Sequence, residues 1–122
     1  MEHSLGFLKI VADSKTRIRE MDIARYRELA ESGTPFVLVD VREESEFAAG
    51  HPAGAIHLSK GVIERDIEGR IPDHEATIVV LCGGGYRSAL VADNLQKMGY
   101  LQVISLDGGW RAWKAAGLAT ET

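Results

Sequence analysis

"TIVVLCGGGYRSALVADNLQKMGY", Thr77 to Tyr100, places the chain's single cysteine between a β-branched apolar run and three consecutive glycines. Thr77 to Leu81 has the length and residue types of a buried strand. Beyond the glycines, Leu90, Val91, Asn94, Leu95 and Met98 recur at helical spacing, with Ser88 as the expected N-cap and Gly99 closing the end. A strand that turns through glycines directly into a helix is the unit from which α/β folds with largely parallel sheets are built.

The rest of the chain repeats that alternation. "PFVLVDV" (Pro35 to Val41), "AIHLS" and "QVISL" read as strands, and Ile18 to Met21 as an edge strand. Asp22 is placed to cap a helix over Ile23 to Glu31 that stops at Gly33, Ser45 to Ala49 makes about one turn, and a last helix runs from near Trp110 to before Gly117. The expected architecture has three layers, with a central, mostly parallel five-stranded sheet and helices on both faces. Residues 18–118 form the domain, 1–17 an N-terminal helical extension centred on Leu5 to Lys15, and 119–122 a C-terminal tail. The extension has an apolar side for the domain or for a partner.

With 122 residues, 45% hydrophobic and 26% charged, the chain suits one globular domain. A net charge of -4 with no basic cluster disfavours nucleic acid. The start lacks the pattern of a secretion signal, and no apolar run approaches membrane-spanning length. A lone cysteine cannot close an internal disulfide and fits a reducing compartment. The expectation is a cytoplasmic protein without a membrane partner.

Cys82 then stands at the carboxyl end of a central strand, where open α/β sheets bind ligands. Gly83, Gly84 and Gly85 let the backbone turn tightly so that amides converge on an anion site, and the helix start adds unpaired N–H groups. These features favour thiolate, the nucleophilic form, over thiol. Arg87 supplies a cation at the rim, Ser88 a hydroxyl for the loop, and Tyr86 part of the mouth. "CGGGYRS" lacks the Lys-Ser/Thr pair of a P-loop and the spacing of a dinucleotide fingerprint.

On these residues the chain resembles the rhodanese family of sulfurtransferases, in its single-domain form. Cys82, Gly85, Arg87 and Ser88 match the family's active loop. "VLVDVREESEFAAGHPAGAIHLS" is similar to its upstream signature, and "LDGGWRAW" to its carboxyl-terminal one. The resemblance implies that Cys82 takes a sulfane sulfur from a small anionic donor such as thiosulfate, forms a persulfide, and passes the sulfur to cyanide or a thiol, protein thiols included. Gly83 leaves Arg87 as the only cation of the loop, so weak thiosulfate activity is expected.

Asp40 and Arg42, at another strand's carboxyl end, are candidates for a brace of the loop or for substrate contact. Glu43, Glu44 and Glu46 read as a solvated face, with Glu46 the one that borders the site. Trp110 and Trp113 read as core. His3, His51, His57 and His74 show no zinc-type spacing with Cys82, so neither a metal nor another cofactor is expected. Two other functions compete: a persulfide carrier or protein-binding module with little turnover, and a cysteine-dependent phosphatase. The four residues between Cys82 and Arg87 give a smaller loop than phosphatases of this fold use.

Overall fold

The computed structural model describes residues 3–122. In chain order the elements are α1 (Leu5–Lys15), β1 (Arg19–Met21), α2 (Ile23–Glu31), β2 (Val37–Asp40), α3 (Glu44–Ala49), β3 (His51–Pro52) and β4 (Ile56–His57). They continue with α4 (Ile63–Arg70), β5 (Thr77–Leu81), α5 (Tyr86–Lys97), β6 (Gln102–Leu106), α6 (Gly109–Ala115) and β7 (Thr120–Glu121). Five strands form one sheet in the order β1-β6-β5-β2-β4, and every pairing in it is parallel. The expected strands are all present, some shorter than their apolar runs.

The period-2 alternation of β5 divides the core. Ile78, Val80 and Cys82 face one side, where they pack with Ile63 and Ile67 of α4 and with Val91 and Leu95 of α5. Val79 and Leu81 face the other, with Tyr26 of α2 and Trp113 of α6. Helices therefore cover both faces, which is why β5 reads as a continuous apolar run. Each fully buried side chain of this kind contributes roughly 1.5–3 kcal/mol.

Register sets the site. Asp40 lies opposite Leu81 across the β2–β5 pair, and the Val41 amide donates to the Leu81 carbonyl at 2.9 Å. Residues 40–42 and Cys82 therefore leave the sheet side by side at its carboxyl edge.

Three differences from the sequence reading have local causes. Ser88 is not the N-cap of α5. The helix starts at Tyr86, with Gly85 as its cap at φ +105°, and Ser88 lies buried in the first turn. Helix α4 goes unexpected because it is short and polar, with Ile63 and Ile67 as its buried residues and no side-chain cap. Thr120–Glu121 pairs antiparallel with His51–Pro52, and the Trp113 indole donates to the Ala119 carbonyl at 2.9 Å. Such a pairing between distant two-residue segments leaves no local signal.

Helix α1 packs on α5. Its anchor is the buried Asp93, which accepts from Ser14 Oγ at 3.0 Å and from the partly exposed Arg17 through Nη2 at 2.7 Å. The Arg17 hydrogen bond, helped by Ser14, holds the Asp93 carboxyl below its ordinary value of 3.8 against the opposing effect of burial.

Candidate functional site

Cys82 closes the floor of a crevice of about 490 Å³ at the carboxyl edge of the sheet. Only 1% of the residue is exposed. The Gly85 amide donates to its Sγ at 3.1 Å, which the left-handed turn at Gly85 makes possible. Its thiol meets Ser88 Oγ at 3.5 Å, and Ser88 Oγ is bonded in turn to Ser105 Oγ at 2.8 Å, all buried. Both hydroxyls rotate, so the pair accepts from a thiol and donates to a thiolate. Ser105, one of two polar residues in β6, gave no sequence signal for this role.

Behind the loop stands the start of α6. The Trp110 amide donates to the Cys82 carbonyl at 2.7 Å, and the Arg111 amide to the Gly83 carbonyl at 3.2 Å. Gly109, at φ +48°, leaves no room for a side chain: a Cβ there would overlap the Cys82 carbonyl and come within 3.0 Å of the Gly83 carbonyl carbon. Consecutive glycines at 108 and 109 let one helix end press on the backbone that carries the thiol.

The cations divide into two kinds. Arg87 Nη1 bonds Glu46 Oε1 at 2.7 Å and its Nη2 bonds Oε2 at 3.2 Å, a two-pronged pair. The pair raises the guanidinium's pKa and lowers that of Glu46. Glu46 also accepts the Glu43 amide at 3.0 Å, so the residue that holds Arg87 is fixed by the start of α3. Arg42 bonds Asp40 at 2.8 Å and the Gly50 carbonyl at 2.7 Å, and its guanidinium lies 4.8 Å from the Trp110 ring centre. Asp40 is fully buried and Arg42 is 3% exposed. Asp40 is spent on Arg42, whereas Arg42 also lines the crevice.

Arg111 and Lys114, exposed on α6, line the same crevice. Among the described residues neither is paired with a carboxylate; Lys114 lies over the Trp110 ring at 5.2 Å. Arg87 is the loop's cation, as expected from the sequence, and α6 adds two more to the crevice that the sequence reading did not single out. Trp110, expected in the core, is instead half-buried on the crevice wall; Trp113 is the core residue. Spacing held a clue, since Trp110, Arg111 and Lys114 fall within one turn or so of helix.

Gly83 and Gly84 line the crevice together with Tyr86. A Cβ at Gly83 would meet Arg87 Nη2 at 3.1 Å, so the glycine leaves room for the Arg87–Glu46 pair. His51 stacks on Phe47 at 3.6 Å and bonds the Phe47 carbonyl, while His57 bonds the Arg42 carbonyl at 2.8 Å. Both support the backbone around Arg42. No group of side chains suited to a metal ion occurs among the described residues.

Residues 22–116 match the model of the rhodanese-like domain. The chain belongs to the rhodanese-like family. A thiosulfate sulfurtransferase, GlpE of Haemophilus influenzae, is 37% identical over 86 residues, 70% of this chain and 80% of that protein. Among solved structures, a Rhodopseudomonas palustris protein described as of unknown function and a possible tyrosine phosphatase superposes with a TM-score of 0.84 at 27% identity. That match covers 99% of both chains. A thiosulfate sulfurtransferase from Pseudomonas aeruginosa gives a TM-score of 0.75 at 32% identity, over 84% of this chain and 20% of that one. The rhodanese-like architecture is thus the one expected, with a sheet that is entirely parallel. No helix among the described residues is long and apolar enough to cross a membrane.

Proposed function

We propose that this rhodanese-like protein is a sulfurtransferase that moves a sulfane sulfur through a persulfide on Cys82. The observation that carries the reading is the environment of Sγ: a donated amide from Gly85, a hydroxyl relay through Ser88 and Ser105, and a cationic crevice in front. In the first step the Cys82 thiolate attacks the outer sulfur of thiosulfate. A Sγ–S bond forms, the S–S bond of the donor breaks, and sulfite leaves with the electron pair. In the second step cyanide or a thiolate attacks the outer persulfide sulfur, and Cys82 leaves as thiolate. No net oxidant or reductant is consumed. Arg111, Lys114 and the start of α5 stabilise the anionic leaving group and the persulfide anion.

Cys82 is the nucleophile and Arg87 the catalytic cation, its charge partly offset by Glu46. Gly83, Gly84, Gly85, Tyr86 and Ser88 shape the binding loop, and Arg42, braced by Asp40, completes its wall. The reaction is ping-pong, with a small anionic donor, an external cyanide or thiol acceptor, and no cofactor. Its setting is the cytoplasm, where a lone thiol stays reduced.

The test is intact mass spectrometry after thiosulfate, on wild type and Cys82→Ser. The expected result is one added sulfur, about 32 Da, on wild type alone and removable by cyanide. Absence of the adduct with thiosulfate and with organic sulfane donors sinks the reading. Turnover of an aryl phosphate that depends on Cys82 would instead favour a phosphatase, the description attached to the Rhodopseudomonas protein.

A further inference from the structure

The N-terminal helix reaches the crevice. The family match begins at residue 22, after α1 has ended at Lys15. Yet His3 and Phe7 line the same crevice as Cys82. Their rings form a cluster with Tyr86 of the active loop: His3 and Tyr86 lie 4.5 Å apart between centres, His3 and Phe7 5.2 Å, and Phe7 and Tyr86 6.3 Å. The helix is fixed there by the buried Asp93 anchor near its far end. A crevice of about 490 Å³ is large for thiosulfate, and it lies within the range of about 300–1,000 Å³ that takes organic ligands. One part of it is aromatic, and Arg111 and Lys114 give it positive charge that no carboxylate among the described residues pairs.

We infer that α1 makes this enzyme selective for organic sulfane-sulfur anions, whose flat apolar body packs on His3, Phe7 and Tyr86 while the reactive sulfur reaches Cys82. The inference rests on the sulfurtransferase reading above and specifies its donor class. For an organic thiosulfonate the step balances as follows. The Cys82 thiolate bonds to the terminal sulfur, the bond from that sulfur to the sulfonyl sulfur breaks, and the sulfinate leaves with the electron pair. Cyanide then takes the sulfur as thiocyanate. The aromatic wall acts on the body of the donor and not on the bonds that change.

The probes are benzenethiosulfonate and methanethiosulfonate, compared by kcat/KM with cyanide as acceptor. They share a reacting group and differ in the ring. The expected result is that the benzene-to-methane ratio falls by roughly tenfold in Phe7→Ala and less in His3→Ala, the size that one or two aromatic contacts supply. The ratio stays at the wild-type value in Leu5→Ala, whose side chain is exposed on the same helix. His3 precedes α1, so His3→Ala reports on the wall without disturbing the helix. Turnover of both donors with a ratio unmoved by Phe7→Ala and His3→Ala overturns the inference and leaves the sulfurtransferase reading standing. No turnover of either donor or of thiosulfate overturns both.

Discussion

How the start of α6 supports Cys82, the proposed nucleophile, is tested by replacing Gly109 with alanine. Its φ of +48° is left-handed, which costs an L-residue about 1–2 kcal/mol. The new methyl would also overlap the Cys82 carbonyl and crowd the Cys82 and Gly83 carbonyl carbons, at 2.9 and 3.0 Å. These are backbone atoms with little freedom to move aside, so overpacking adds about 1–3 kcal/mol. The total expected loss is about 2–5 kcal/mol. Gly117→Ala is the control: φ there is +71°, but no atom lies within 4 Å of the added Cβ, so it should lose only the conformational part. Urea unfolding at constant m-value measures both. Thiosulfate-to-cyanide turnover of the folded variants should fall about a hundredfold in Gly109→Ala, as for a reacting group displaced by about 1 Å, and stay native in Gly117→Ala. Equal stability losses with native turnover in both would refute the argument that α6 positions Cys82 through these contacts.

Two further outcomes follow from the ion pairs. Glu46→Gln removes the carboxylate that neutralises Arg87, and with both side chains about a third exposed the pair is worth about 0.2–1 kcal/mol. The KM for thiosulfate should therefore fall by roughly two- to fivefold, and an unchanged or higher KM would show that Glu46 serves mainly to place Arg87. Asp93, with its pKa depressed in the folded state, contributes stability that is present above the unfolded value near 3.8 and is lost as the pH falls through the folded value. Amide protection factors in α1, corrected for the intrinsic rate at each pH, should fall on acidification below about pH 4, before those in β5. Asp93→Asn should bring the same loss of protection at neutral pH, and protection that changes uniformly across α1 and β5 would refute the anchor.

Local chemistry fixed much of this protein in advance. The apolar runs of β2, β5 and β6 are legible because both faces of the sheet are covered, so their residues need not alternate with polar ones. Asp22 caps α2 through its Oδ1 and the Arg25 amide at 2.9 Å, an interaction between near neighbours that a sequence displays directly. Cys82, its glycines and Arg87 lie within six residues and mark out a candidate nucleophile loop by themselves. Other features depend on which distant segments meet. The α5 cap moved from Ser88 to Gly85 because a left-handed glycine already supplies the turn, leaving the Ser88 hydroxyl to bond with Cys82 and Ser105. Only the register between β2 and β5 sets Arg42 beside Cys82, and only the packing of α3 gives Arg87 its carboxylate. The same holds for the crevice. A helix far from Cys82 in sequence brings His3 and Phe7 to Tyr86, and α6 brings Trp110, Arg111 and Lys114. Sequence periodicity records which face of a helix is buried, but not which site lies under its end.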